Sequence, residues 1–209
     1  MDSEPSRIAF NMDSIEKLRV LFERFPGIGP RQATRFVQFL LRSSPSLRRE
    51  IATEIQKLGN NVKQCTECRR FFAGIGEQCT ICKSPQRNDA LLLIVTSDAD
   101  VETIERSGNY NGKYFVLGGL LSFGDTNPLP NQKQLMKLLT AKKTIEEIII
   151  AVPANPEGDN TEQFLRSLFA SSKHPISAKV ATLGRGLSTG SEIEYADAEK
   201  IKNALENRR

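Results

Sequence analysis

Four cysteines are the residues whose types and spacing point most directly to chemistry. Cys65-x2-Cys68 and Cys79-x2-Cys82 contain every cysteine of the chain within 18 residues. Two such pairs supply four thiolates, which satisfy a tetrahedral Zn²⁺ ion and leave no open position for a substrate. A closed site of this kind stabilises a segment that is too small to bury a hydrophobic core of its own. We therefore predict one structural Zn²⁺ per chain, bound by Cys65, Cys68, Cys79 and Cys82.

A secreted disulfide module is the rival interpretation of these cysteines. Residues 1–10 lack the apolar region of a signal peptide, and the longest apolar runs, Leu91–Val95 and Ile148–Val152, are far shorter than the ~20 residues of a membrane span. We therefore expect a soluble, intracellular protein with no membrane partner, in which the thiols bind metal.

A second pattern, Pro26-Gly27-Ile28-Gly29-Pro30, lies between two amphipathic helical patterns. Its glycines allow a sharp turn and let a phosphate approach without a Cβ in the way. Amides at the start of the next helix then face that phosphate, and Arg31 and Arg35 are spaced to neutralise its neighbours. We predict a helix-hairpin-helix that binds single- and double-stranded DNA without sequence preference. The predicted contacts are Gly27, Gly29, Arg31 and Arg35, with Arg24 as a weaker candidate.

Two other interpretations of this loop stay open. It could be a plain tight turn, or an element that packs subunits of an adaptor and never meets DNA. The charge distribution favours the DNA interpretation: residues 1–90 carry 15 Lys and Arg against 10 Asp and Glu, a net +5, whereas the rest of the chain carries −1. An ordinary solvated surface remains the alternative explanation of that excess.

The elements that must position these residues follow from hydrophobic periodicity. Helical spacing predicts helices over 13–25, from Pro30 to Leu41, and from Pro45 to Gly59 with Ser44 as its cap. Beyond residue 90, apolar runs alternate with helical patterns, which predicts a parallel α/β sheet. The predicted strands are Leu91–Thr96, Lys113–Leu117, Glu147–Val152 and Lys179–Leu183. The predicted helices are Val101–Ser107, Gln132–Lys142, Thr161–Ser171 and Tyr195–Asn207.

The order of these features resembles a known family. A late segment reads Gly184-Arg185-Gly186-Leu187, then Glu192-Ile193-Glu194-Tyr195-Ala196-Asp197, and the chain ends with residues 204–209, ALENRR. Together with Pro26–Arg35 and the cysteine spacing, this is similar to the bacterial recombination mediator RecR family over nearly the whole chain. The resemblance implies a Toprim-like sheet and a role in recombinational DNA repair. It also implies a ring-like homo-oligomer, either a dimer or a tetramer, that binds DNA with a RecO-type partner and helps to load the RecA recombinase on coated single strands.

The sequence departs from the family pattern in two places. Ser188-Thr189-Gly190-Ser191 stands where the family has a proline- and glycine-rich stretch, and Thr96-Ser97-Asp98 stands where it has an acidic residue followed by proline. These departures affect the contacts expected with a partner and any metal site at the Thr96-Ser97-Asp98 loop. They leave the expected fold unchanged.

Four acidic residues keep an enzymatic alternative open. Other Toprim domains hold Mg²⁺ at a phosphodiester with a glutamate after one strand and an Asp-x-Asp pair after another. Here Asp98 and Asp100 follow the first predicted strand and Glu157 and Asp159 follow the third, so a nuclease or topoisomerase-like enzyme is the runner-up.

The sequence argues against that alternative. The first-strand glutamate is absent, and Tyr110, Tyr114 and Tyr195 lack a recognisable topoisomerase context. The only histidine, His174, is expected at the surface, and no nucleotide-binding P-loop is present. We therefore predict a scaffold that is not an enzyme, with the four acids as a partner-facing surface or a weak cation site.

The predicted architecture is α/β with an N-terminal helical hairpin module, a small zinc module and a parallel-sheet Toprim-like main domain. The predicted boundaries are 1–59 for the hairpin module, 60–89 for the zinc module, 90–185 for the Toprim-like domain and 186–209 for an oligomer-forming C-terminal segment. We expect the protein in the bacterial cytoplasm, at the nucleoid during repair.

Overall fold

The structure is a computed structural model and describes residues 13–122, 128–170 and 176–184. Several predictions lie outside the described residues, namely those for His174, Ser188–Ser191, the segment 186–209 and its closing helix. Within the described ranges the chain divides into two compact units at Asn61 and Val62. None of the helices in these ranges has the length and hydropathy needed to span a membrane.

The described part of the first unit, residues 13–61, contains three helices: α1 (Ser14–Glu23), α2 (Pro30–Arg42) and α3 (Pro45–Asn61). The cap predicted for α1 is present, because the Asp13 carboxylate accepts a hydrogen bond of 2.8 Å from the Glu16 amide. Helix α2 begins at Pro30, as predicted. Helix α3 does not end at Gly59 but continues to Asn61, because one glycine costs a helix only about 1 kcal/mol.

The apolar side chains of the first unit are largely uncovered. Among residues 13–61 only Ala33 and Val37 are buried. Apolar side chains of α1 also face solvent, with Ile15 48% and Leu21 51% exposed. An apolar groove of about 570 Å³ runs over this unit. Its lining includes Ile15, Leu18, Phe22, Val37, Leu40, Leu41, Ile51, Ala52 and Ile55.

The second unit begins with short elements that the sequence did not predict. Strands β1 (Val62–Gln64) and β2 (Phe71–Ala73) pair antiparallel, and helix α4 (Thr80–Lys83) follows them. We refer to residues 62–84 as the four-cysteine module. Elements of three or four residues are too short to produce a hydrophobic period, so only the cysteine spacing marked this region in advance.

In the described residues that follow the four-cysteine module, the second unit contains a four-stranded sheet. Its strands are β3 (Asn88–Val95), β4 (Gly112–Val116), β5 (Glu147–Ala151) and β6 (Lys179–Thr182). They are parallel and lie in the order β4-β3-β5-β6. Helices α5 (Asp98–Ser107), α6 (Gln132–Ala141) and α7 (Pro156–Ala170) alternate with the strands. The predicted parallel α/β architecture is confirmed.

Two helices begin earlier than the periodicity predicted, because polar side chains cap them. Helix α5 begins at Asp98 rather than Val101, and the Asp100 carboxylate accepts a 2.8 Å hydrogen bond from the Ser97 amide just before the helix. Helix α7 begins at Pro156 rather than Thr161, and the Asn155 side chain accepts a 2.8 Å hydrogen bond from the Gly158 amide. As a result, the acids predicted to follow the first and third strands lie in the first turns of helices.

The sheet has a separate apolar core on each face. Leu92 and Ile94 of β3 belong to the core that α6 and α7 cover. Leu93 and Val95 belong to the opposite core, which also contains Val101 of α5 and three of the cysteines. The four-cysteine module therefore has no independent core but shares the core on one face of the sheet.

Candidate functional site

The four cysteine sulfurs are close enough together to hold one metal ion. All four Sγ atoms lie within 4.8 Å of one another, and none of the cysteines forms a disulfide. The distance from Cys68 Sγ to Cys79 Sγ is 3.6 Å. A tetrahedral ion with metal–sulfur bonds of about 2.3 Å sets its sulfurs roughly 3.8 Å apart. The thiol cluster therefore has the size of a four-sulfur metal site.

The electrostatics of the cluster also favour a cation. Cys65, Cys68 and Cys79 are buried, while Cys82 is partly exposed. A hydrogen bond with the Cys68 thiol lowers the pKa of Cys65, and the same interaction raises the pKa of Cys68. Four thiolates this close repel one another, so the fully deprotonated cluster needs a central positive charge.

Two residues of the edge strand β4 donate hydrogen bonds to backbone carbonyls of the four-cysteine module. The Val116 amide donates a 2.8 Å hydrogen bond to the Cys68 carbonyl, so the module covers part of an otherwise open sheet edge. The buried Lys113 ammonium donates to the carbonyls of Ile81, Cys82 and Ser84 at 3.1, 2.9 and 3.1 Å. The turns that carry the four cysteines are therefore joined to the sheet by hydrogen bonds.

Arg69, directly after the second cysteine, has an unusual backbone. Its φ is +64°, the only positive value at a non-glycine residue in the described ranges. Side-chain contacts accompany this conformation, because the Arg69 guanidinium donates to Gln64 and, at 3.4 Å, to the Asn131 side chain. A left-handed conformation costs a residue with a Cβ roughly 1–2 kcal/mol, which the surrounding contacts must offset.

Substitutions at Arg69 should separate the energetic cost of its left-handed backbone from the stabilisation that its side-chain contacts provide. Arg69→Ala keeps the strained φ and loses the side-chain contacts, so we expect it to lower the free energy of unfolding by about 1–2 kcal/mol. Arg69→Gly loses the same contacts but relieves the strain, so it should be more stable than the alanine variant by about 1 kcal/mol. Urea unfolding of the two variants measures the difference, and a glycine variant less stable than the alanine one would contradict this account.

Asp98 and Asp100 have structural partners. The Asp98 carboxylate accepts a 2.8 Å hydrogen bond from the Phe71 amide of β2. The Asp100 carboxylate accepts hydrogen bonds from the Ser97 amide and hydroxyl at 2.8 and 3.0 Å. One acid therefore attaches the four-cysteine module to α5, and the other caps that helix.

Glu157 and Asp159 lie in the first turn of α7, where negative charge complements the helix dipole. Glu157 is exposed, and the Ser122 hydroxyl lies 3.4 Å from its carboxylate. Gly158 between them is buried, and a Cβ there would collide with the Pro153 carbonyl. Any side chain at position 158 would therefore move this turn and the two acids on it.

The described structure brings no three of the four acids close enough together to share one metal ion. In the part of the chain that the structure describes, the cysteines are the only group of three or more potential ligand side chains close enough to share an ion. Thr96 stands where an acidic residue was expected after the first strand. Its buried hydroxyl oxygen has no hydrogen-bond partner among the described residues. Burial raises the pKa of both Tyr110 and Tyr114, which makes either phenol a poor nucleophile.

The loop between α1 and α2 has the backbone that the hairpin prediction requires. Gly27 has φ +77°, a left-handed conformation that favours glycine. Gly29 has an ordinary extended φ of −88°, and a Cβ there would meet nothing within 4 Å. Gly29 is the N-cap residue of α2, a position that favours glycine, and its open surroundings also leave room for a phosphate to approach the backbone.

The arginines predicted to contact DNA are available to a partner. Arg24, Arg31 and Arg35 are exposed, and none of their side chains makes a hydrogen bond or ion pair with the described residues. Arg19, by contrast, pairs with Glu16 and Glu23, and Arg48 donates to carbonyls at the end of α2. The contact roles of Gly27, Gly29 and the three exposed arginines stay predictions.

Comparison with known proteins finds one matching domain and relatives that are similar over nearly the whole chain. Residues 90–182 match the Toprim domain. A recombination protein RecR from Prochlorococcus marinus strain MIT 9312 is 36% identical over 196 residues, which cover 93% of this chain and 94% of the relative. The protein of the same name from Carboxydothermus hydrogenoformans is 36% identical over 94% of this chain and 96% of its own length. The one from Maricaulis maris is 31% identical over 93% and 94%.

Proposed function

Because this chain belongs to the RecR family of recombination proteins and is a recombination mediator in DNA repair, we propose that it acts by binding DNA through the hairpin of its first unit. The observation that supports this proposal is a left-handed turn at Gly27 that leads directly into α2. On the first turns of α2, Arg31 and Arg35 are exposed and make no ion pair with the described residues. Amides and guanidinium groups of this kind contact phosphates and not base edges, so binding is independent of sequence and sensitive to salt.

The four cysteines hold a structural Zn²⁺ ion in this proposal. Four sulfur donors favour zinc among the common divalent ions of the cell, and a closed four-ligand shell leaves no position for a reacting water. The ion supplies folding energy and no chemistry. Lys113 and the Cys68 carbonyl transmit that stability to β4.

The protein functions as a homo-oligomer, either a dimer or a tetrameric ring. The supporting observation is the open apolar groove of the first unit, which includes Leu18, Phe22 and Leu40. Apolar surface of this extent is typical of an interface. Repeating a weak phosphate-binding hairpin around an oligomer also raises the effective affinity for one DNA molecule.

Glu157 and Asp159 face a RecO-type partner in this proposal, with which the protein helps to load recombinase on coated single strands in the bacterial cytoplasm, at the nucleoid. The carboxylates of Asp98 and Asp100 accept hydrogen bonds from Phe71 and Ser97, so these two acids also have a structural role in the second unit. In the described ranges, no three of the four acids are close enough to share a cation. A Mg²⁺-dependent nuclease would need its acids grouped around the ion, so this arrangement favours a scaffold over a nuclease.

A recombinase-loading assay tests this function. Wild type with its RecO-type partner should speed filament formation on coated single strands, and supercoiled and linear DNA incubated with Mg²⁺ should stay uncut. Glu157→Ala with Asp159→Ala should bind the partner more weakly while DNA affinity is kept or slightly raised, because negative charge is removed. Glu102→Ala on α5, also exposed, controls for charge alone. DNA cleavage by wild type that is lost in the double variant would establish the enzyme instead.

A further inference from the structure

The loop that joins the two cysteine pairs presents an isolated apolar side chain to solvent. Ile75 is 96% exposed, more than any other large hydrophobic residue in the described ranges. It lies between Gly74 and Gly76, both of which have positive φ, at +147° and +97°. Packing against the described residues of the second unit does not account for a branched aliphatic residue at this tip.

Hydrogen bonds hold the loop in this exposed position. The Thr66 amide and hydroxyl donate to the Glu77 carbonyl at 2.9 and 3.2 Å. The Lys83 ammonium donates to the Ile75 carbonyl at 3.1 Å. Both ends of the tip are therefore attached to turns that carry metal-binding cysteines, so Ile75 is presented by a supported loop.

Basic and aromatic groups border the tip on both sides. The Phe72 ring lies 3.8 Å from the position of a Cβ at Gly74, and Lys63 Nζ lies 6.0 Å from the centre of that ring. On the other side, Lys83 Nζ lies 2.8 Å from the position of a Cβ at Gly76. The surface consists of an aliphatic tip, an aromatic ring and two exposed lysines, and we call it the Ile75 tip.

The acidic groups near this surface do not cancel its positive charge. Glu67 forms an ion pair with Lys142, and its carboxylate also accepts a hydrogen bond from Gln78. Glu77 is exposed on the same loop, which leaves one acid against Lys63 and Lys83.

We propose that the Ile75 tip is a second contact for single-stranded DNA, in which Ile75 packs against unpaired bases while Lys63 and Lys83 approach the flanking phosphates. Apolar side chains that meet DNA insert against or between bases, and unpaired bases offer that surface without the cost of unstacking a duplex. Lysine is depleted in protein–protein interfaces, so an aliphatic residue between two lysines fits nucleic acid better than a protein partner. This inference rests on the proposed DNA-binding function and adds a base contact to the phosphate contacts of the hairpin.

A single tryptophan tests the contact directly, because the chain contains none. The full-length Ile75→Trp variant, with its metal content checked, is titrated with oligothymidine. Its fluorescence should be quenched in a saturable manner as bases stack on the indole. Phe71→Trp is the matched control, since Phe71 is 58% exposed in the same module but points to the opposite face of β2 from Phe72. The fluorescence of this control should change little.

Binding measured on labelled DNA keeps this inference separable from the proposed function. Ile75→Ala should bind oligothymidine roughly five- to tenfold more weakly with an unchanged salt slope, since it loses apolar contact and no phosphate contact. Lys63→Ala, which leaves the hydrogen bond from Lys83 to the Ile75 carbonyl in place, should flatten that slope. Unquenched fluorescence of an Ile75→Trp variant that still binds DNA, or equal quenching of the Phe71→Trp control, would overturn the inference and leave the function intact. No DNA binding by the wild type would overturn both.

Discussion

Replacing Cys65 and Cys68 by serine should remove the bound metal and unfold the four-cysteine module. Zinc contributes on the order of 10 kcal/mol of folding free energy to small modules of this type, and the described residues offer no other group of three or more potential ligands. The damage should extend to the sheet, because the cysteines share a core with Leu93 and Val95 of β3. Elemental analysis of the wild type should give close to one Zn²⁺ per chain, and near-ultraviolet circular dichroism of the variant should lose signal.

Thr66→Ser is the matched control for the cysteine variant. It changes a side chain between the same two ligands but keeps a hydroxyl that can donate to the Glu77 carbonyl. We expect wild-type metal content and stability from it. Wild-type protein with all four thiols in disulfides and no metal would contradict the zinc assignment.

Lys113→Met should cause the second large loss of stability. The substitution keeps the aliphatic volume but leaves the carbonyls of Ile81, Cys82 and Ser84 without the buried ammonium that bonds to them. Burying unsatisfied polar groups of this kind costs about 3 kcal/mol or more in total. In a protein of this size that corresponds to a fall in melting temperature of roughly 6–12 °C.

Lys133→Met is the control for Lys113→Met because Lys133 is exposed on α6. An exposed substitution should change the free energy of unfolding by less than about 0.5 kcal/mol. Thermal unfolding and metal content measured on both variants separate loss of the buried hydrogen bonds from a general effect of methionine. Equal melting temperatures would show that Lys113 does not support the module.

Local sequence signals predicted the parts of the fold that depend on neighbouring residues. Pro30 marked the start of α2, and Asp13 marked the cap of α1, because both effects act within one helical turn. The parallel sheet followed from continuous apolar runs, and the gathering of the four cysteines followed from their spacing. Capping explains the errors at α5 and α7, where Ser97 and Asn155 begin each helix before its apolar period becomes visible.

Contacts between distant residues account for what the sequence could not predict. Asp98 looked like a free loop acid, but its partner is the Phe71 amide, 27 positions earlier. Lys113 looked like the polar first residue of a strand, but it is buried beneath α4 of the four-cysteine module. Ile75 gave no periodic signal at all, and only its exposure in the folded chain distinguishes it.

The salt dependence of DNA binding by wild type and by Arg31→Ala with Arg35→Ala, measured with the molar mass of both proteins, tests the central claim most directly. Each phosphate contact contributes roughly 0.7–0.9 to the slope of log affinity against log salt at each engaged hairpin. The double variant should therefore bind every sequence more weakly, with a flatter slope, while it keeps its oligomeric state and its zinc, since both side chains are exposed. Unchanged affinity and slope in an intact oligomer would contradict the DNA-binding role of the hairpin.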